Sequence, residues 1–179
     1  MGSGSSLACD LTLNSVLSPE LKAKYQNQQT IRRILGQART VAMVGLSTHR
    51  QKASYFVATY LVSHGFRVIP VHPKAKEILG EKAYPTLLDI TGPVDLVTIF
   101  RPSREAPRYA RQAAEIGAKA LWLQLRIVSE EAVGIAEAAG LDVVMDRCVK
   151  MEHGRYDGTM HFVGMNTGIL TARRARRWL

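Results

Sequence analysis

Cysteine is nearly missing from this chain: Cys9 and Cys148 are the two among 179 residues. Two sulfurs cannot build a disulfide framework, so the fold must rest on apolar packing, and the expected compartment is a reducing one, the cytoplasm. No run of about 18 apolar residues occurs, which leaves no candidate for a membrane-crossing helix. The N-terminus has neither the basic start nor the apolar stretch of a secretory signal. Its "MGSGSS" is rich in glycine and serine and is set aside from the fold reasoning as a flexible end.

Acidic residues are also few. Fifteen Asp and Glu face 24 Lys and Arg, a net charge of +9. Four of the positive charges sit in "ARRARRW", Ala172 to Trp178. Charge so local belongs to a tail rather than to the fold. A basic surface suits an anionic partner, and charge alone does not choose among a phosphorylated small molecule, nucleic acid and a membrane surface. With 46% apolar residues and no low-complexity tract in its middle, the chain has enough material for one domain of ordinary size.

What is present is alternation. Residues 1–28 hold no sustained period and are expected to be flexible, apart from a turn of helix at Pro19–Tyr25. "QTIRRILGQA" places Ile31, Ile34 and Leu35 on one helical face. "TVAMVG", "FRVIPV", "VDLVTIF", "ALWLQL" and "LDVVMD" are short apolar runs. Between them stand "SYFVATYLVSHG", a turn or two of helix at "AKEILG", "SREAPRYARQAAEIG" with Ser103 as N-cap, and "SEEAVGIAEAAG" with Ser129 as N-cap. Apolar strands alternating with helices predict an α/β fold: a doubly wound, parallel, five-stranded sheet with helices on both faces. The expected strand order is 3-2-1-4-5 with right-handed crossovers, which puts the topological switch between strands 1 and 4. Ligands of such sheets bind beyond the carboxyl ends of the strands, so the loops after Gly45, Val71, Phe100 and Leu125 are the expected site.

Those loops lack the two best-known phosphate motifs. "GLSTHRQK" has Gly45 but no G-x-G-x-x-G, and Lys52 follows Gly45 by seven residues with no second glycine before it, so a P-loop is excluded too. The remaining features still suit phosphate. Gly45 permits a sharp exit from the strand, Ser47 and Thr48 offer hydroxyls, Arg50 and Lys52 offer charge, and the next helix presents its N–H groups. Alternatively this is a polar loop with solvated basic residues. After strand 2, the acid that NAD-binding proteins place on the ribose is missing, and His72, Pro73 and Lys74 stand there instead. That favours an adenosine carrying an extra ribose phosphate, as in NADP or coenzyme A, unless Lys74 and Lys76 are merely exposed. After strand 3, Arg101, Pro102 and Ser103 open the next helix, and Phe100 packs either on a ligand or in the core. Gln124 is a lone amide in an apolar strand and must bond to a ligand or to its neighbours.

Together, "VGLSTHRQKASYFVATYL", "VIPVHPKAKEILG", "VDLVTIFRPS", "GAKALWLQL" and "GLDVVMDRC" resemble the small bacterial and archaeal coenzyme A-binding proteins. Their fold is shared with the CoA-binding domain of the succinyl-CoA synthetase α-subunit. The resemblance implies a Rossmann-like domain over residues 29–153, with a basic extension at 154–179, that binds coenzyme A or an acyl-CoA without a known reaction of its own. By position, it puts the diphosphate on the loop Gly45–Lys52 and the adenosine near Val71, His72, Pro73 and Lys74. The thiol-bearing arm then runs past Phe100, Arg101 and Pro102 towards Gln124. Two departures stand out: His72 replaces an asparagine, and Arg126 replaces a glycine. The region carrying the synthetase's phosphorylated histidine is not found, so ligase activity is not implied.

No catalytic set is identified. Cys148 reads either as a partner for the coenzyme's thiol or as a small buried residue. Cys148, Glu152, His153 and His161 match no zinc spacing, and no metal is expected. "HFVGMNTGIL" adds an edge strand or packs on a second copy in a homodimer, and the basic tail is a solvated end or an anion site. The rival functions are an NADP-dependent enzyme and nucleic-acid binding through residues 172–179. A coenzyme A-binding module with no membrane partner is the expected function.

Overall fold

A computed structural model describes residues 17–156. The expectations for the extreme N-terminus, Cys9, "HFVGMNTGIL", His161 and the basic tail lie outside the described residues. The elements are α1 (Pro19–Tyr25), α2 (Gln28–Gln37), β1 (Thr40–Val44), α3 (Ala53–Ser63), β2 (Arg67–Val71), β3 (Glu77–Ile78), β4 (Glu81–Lys82), β5 (Leu96–Ile99), α4 (Ala106–Glu115), β6 (Ala120–Leu123), α5 (Glu130–Ala138), β7 (Asp142–Val144) and α6 (Val149–Tyr156).

Five strands form one parallel sheet in the order β2-β1-β5-β6-β7. In order of appearance this is 2-1-3-4-5, not the expected 3-2-1-4-5: the third strand lies inside, beside the first. The reason is at the outer edge of β2. Tyr84 donates to Pro70 O at 2.9 Å and its carbonyl accepts from His72 N–H at 2.9 Å, so the chain leaving β2 turns back and covers that edge itself. The third strand must take the free side of β1. The switch point therefore falls between β1 and β5, one strand nearer than expected.

Side chains alternate across the sheet as the pleat demands. Ala42, Val44, Val97, Ile99, Leu121 and Leu123 pack with Ala106, Ala110, Ala113, Ala132, Val133 and Ala136 of α4 and α5. Val41, Met43, Leu96 and Trp122 pack with Ile31, Ile34 and Leu35 of α2, with Val57, Ala58 and Leu61 of α3, and with Val149 of α6. The helix at Pro19–Tyr25 is present, capped by the Ser18 hydroxyl. It is fixed to the domain, because Tyr25 is buried and the neighbouring Gln26 amide donates to Met145 O at 3.2 Å.

Two local expectations are corrected. "AKEILG" is not helical but part of the hairpin β3–β4, whose two turn residues, Leu79 and Gly80, have φ of 57° and 78°. That pair of left-handed residues makes the tight turn that twists with its strands. Ser103 does not cap a helix. It starts a 3-10 turn, Ser103–Glu105, and its hydroxyl accepts from Val128 N–H at 3.0 Å instead.

At the amino edge, Asp95 ties three strands together. One carboxylate oxygen accepts from Arg39 N–H (2.9 Å) and Thr40 N–H (3.0 Å), and the other meets Lys119 Nζ at 2.7 Å. Burial alone would raise this carboxyl; the Lys119 ammonium and the two backbone donors outweigh it and hold it below the usual range. A lowered carboxyl stabilises the fold above its unfolded value and loses that contribution as pH falls through the lower folded one. Asp95→Asn is expected to cost about 1–2 kcal/mol at neutral pH. In urea unfolding, the gap from the parent should close below about pH 4. A gap that is constant down to pH 2.5 would mean the charge is not involved.

Candidate functional site

Because all five strands run parallel, the loops after β1, β2, β5 and β6 meet at one edge. Gly45 leaves β1 at φ 80° and donates to Val71 O at 3.0 Å, which fastens the first loop to the end of β2. The stem of Arg101 lies over Gly45, where a Cβ would come within 2.8 Å of Arg101 Cδ and 3.3 Å of Phe100 O. Ser47 closes the loop twice: its N–H donates to Ser54 Oγ at 3.1 Å, and its own Oγ accepts from His49 N–H at 3.1 Å. A hydroxyl that accepts in this way keeps its hydrogen to donate.

The chain then enters α3. Its N-cap, Lys52, supplies no side-chain cap, so the N–H groups of the first turn are left for solvent or a ligand. An open cleft of about 550 Å³ lies there, lined by His49, Arg50, Gln51 and Lys52. Arg50 and Lys52 are exposed there, as is Thr48 in the loop before them. An uncapped helix start beside three basic side chains suits an anion by geometry and by charge.

Beyond β2, His72 shapes the turn. Its Nδ1 accepts from Lys74 N–H at 3.2 Å and Ala75 N–H at 3.0 Å. An asparagine in this position would be able to offer its side-chain oxygen to the same two donors, so histidine and asparagine suit the same turn. Because Nδ1 accepts, the ring hydrogen sits on Nε2. Pro73 and Lys74 follow, exposed.

Beyond β5, Phe100 is half-buried against the face that holds α3. Arg101 is not free to reach far, since its guanidinium forms two bonds with Glu105, at 2.9 and 3.0 Å. That pairing raises the guanidinium further and holds the Glu105 carboxyl below its usual range. Pro102 and Ser103 turn the chain, and the Ser103–Val128 bond stitches this loop to the one after β6.

Gln124 answers the question its sequence position raises. It is 4% exposed; its amide nitrogen donates to Thr98 Oγ1 at 2.6 Å and its carbonyl accepts from Val149 N–H at 3.3 Å. Both ends of the amide are thus held by the protein beneath the site. Arg126 follows at φ 64°, a left-handed conformation that costs a side-chain-bearing residue about 1–2 kcal/mol and that glycine takes without strain. A glycine here is thus explained by backbone conformation. Cys148 is largely buried, and burial pushes its thiol up, against the character of a reactive thiolate.

The structure thus brings Gly45, Val71, Phe100 and Arg101 into one cluster, with Arg50 and Lys52 lining the cleft, Ser47 and Thr48 in the loop that leads to it, and His72, Pro73 and Lys74 on the neighbouring turn. Gln124 stands apart, below the surface. Sequence reasoning missed His49, which lines the cleft, Ser54, which anchors Ser47, and the role of Asp146, which holds the Arg126 backbone. Ser54 carried a signal, a hydroxyl at a helix start; Asp146 carried none, because its partner lies 20 positions away.

The model of the family described as CoA binding domain matches residues 39–154. The chain is 37% identical over 123 residues to the uncharacterized protein YneT of Bacillus subtilis, covering 69% of this chain and 91% of that protein. It is 33% identical over 95 residues to the ADP-forming acetate–CoA ligase II of Archaeoglobus fulgidus, covering 52% of this chain but 14% of the ligase. Among solved structures, a hypothetical protein from Pyrococcus horikoshii OT3 superposes with a TM-score of 0.71 at 38% identity, over 74% of this chain and 93% of the other.

Proposed function

Because the chain belongs to the CoA-binding domain family, we propose that it binds coenzyme A, free or acylated, at the carboxyl edge of its sheet, as a carrier or sensing module in the cytoplasm. The observation that carries this reading is the uncapped start of α3, opening on a cleft ringed by His49, Arg50 and Lys52, behind a glycine against which no Cβ fits. In this reading the diphosphate lies on the α3 N-terminus and the Ser47 and Thr48 hydroxyls. Lys74 and the Nε2–H of His72 face the phosphate-bearing ribose, and the arm runs over Phe100 and Arg101. The groups nearest this path are occupied in ways that suit binding better than catalysis. Glu105 is paired with Arg101, His72 Nδ1 holds its turn, and the Cys148 thiol is kept neutral.

Thermal unfolding with saturating coenzyme A, dephospho-coenzyme A, NADP and NAD tests the reading. A ligand at about a hundred times its Kd adds about 2.7 kcal/mol, which for a domain of this size is a midpoint rise of roughly 5–10 °C. Coenzyme A is expected to give that rise, dephospho-coenzyme A a smaller one and NAD none. A rise with NADP alone would replace the reading with a nicotinamide-dependent one, and no rise with coenzyme A would remove it.

A further inference from the structure

We propose that Arg126 makes the site selective for acyl groups that end in a negative charge, so that its preferred ligands are thioesters of coenzyme A with dicarboxylic acids. The inference rests on the reading of the edge as a coenzyme A site and adds the class of acyl group.

Arg126 sits at the carboxyl end of β6, in a left-handed conformation the protein holds from three sides. Its N–H donates to the carboxylate of Asp146, a residue 3% exposed, at 2.6 Å. Ile127 N–H donates to Gln124 O at 2.9 Å, and Val128 N–H donates to Ser103 Oγ at 3.0 Å. The turn is therefore bonded to the end of β6, the end of β7 and the loop after β5. Backbone strain that the surroundings enforce is retained where it does something, and here the residue carrying it is an exposed arginine.

Its guanidinium forms no ion pair among the described residues. Two carboxylates of the adjoining loops are committed: Glu105 holds Arg101 with both oxygens, and Asp146 holds the backbone of Arg126 itself. Gln124, the other polar side chain at the end of this strand, is consumed by Thr98 and Val149. Arg126 is thus a cation left open at the end of this strand, always charged and built to take a carboxylate through two parallel bonds. A neutral acyl chain gains nothing from it.

Calorimetric titration with two four-carbon thioesters, butyryl-CoA and succinyl-CoA, isolates the terminal carboxylate. The parent is expected to bind succinyl-CoA at least tenfold more tightly than butyryl-CoA. Arg126→Gly relieves the left-handed strain and should fold well; in it the two ligands should bind alike, with free coenzyme A within about twofold of its parent affinity. Equal binding of the two thioesters by the parent, or a preference that persists in Arg126→Gly, overturns the inference while leaving the coenzyme A site standing. If neither thioester nor coenzyme A binds, the reading of the site falls and takes this inference with it.

Discussion

Gly45→Val is expected to weaken coenzyme A binding by at least about thirtyfold, close to 2 kcal/mol. The same change should lower stability by about 2–3 kcal/mol, since a β-branched residue meets both left-handed strain and a clash. Gly45 stands at φ 80°, and its missing Cβ would lie 2.8 Å from Arg101 Cδ, 3.1 Å from Arg101 Cγ and 3.3 Å from Phe100 O. The arginine stem can move only by straining its two hydrogen bonds to Glu105. The Phe100 carbonyl can hardly move at all, because Phe100 N–H is bonded to Val44 O at 2.9 Å in line with the ladder between β1 and β5. The loop must yield instead, and the loop is what delivers Ser47, Thr48 and the α3 N-terminus to the cleft. Arg101→Ala in the Gly45→Val background separates the causes: it clears the stem but leaves φ and Phe100 O, so it should restore less than half of the lost stability. A Gly45→Val protein that binds coenzyme A like the parent would show that the diphosphate lies elsewhere.

The elements around Gly45 were legible because each rests on local signals. Apolar runs of strand length, Ser129 at a helix start and basic loops at strand ends are all patterns within a few residues. The failures are non-local. Strand order turned on Tyr84 covering the edge of β2, a pairing between segments more than a dozen residues apart with no periodicity to announce it. The hairpin at Glu77–Lys82 hid behind Leu79, which offers no hint that it takes a left-handed turn. Gln124 was rightly singled out as a buried amide, but the sequence does not tell whether Thr98 or a ligand satisfies it. His72 stands where the resemblance implies an asparagine, and its Nδ1 accepts from the two N–H groups that an amide oxygen would be placed to meet there.

Buried charge near the end of the domain was not legible either: Glu152 and Arg155 carried no sequence signal of burial. Glu152 is 1% exposed; Arg155 Nη1 lies 3.0 and 2.9 Å from its two oxygens, and Arg147 Nη1 lies 3.6 Å away. Burial pushes the Glu152 carboxyl up against the pull of Arg155 and Arg147. Glu152→Ala should cost about 3–5 kcal/mol, because it strands Arg155, whose side chain is 6% exposed, without a counter-charge. The unfolding midpoint should fall by roughly 10 °C. Replacing both residues, Glu152→Met with Arg155→Met, should be much milder than the single change, since no charge is then left buried. Binding should suffer in the single variant too, although neither residue touches the cleft. The first turn of α6 holds Gln124 through Val149 N–H, and Trp122 Nε1 donates to Arg147 O at 2.7 Å, so α6 braces the end of β6 on which the Arg126 turn is built. If Glu152→Ala costs less than 1 kcal/mol in urea unfolding, the pair is solvated and that brace is not needed.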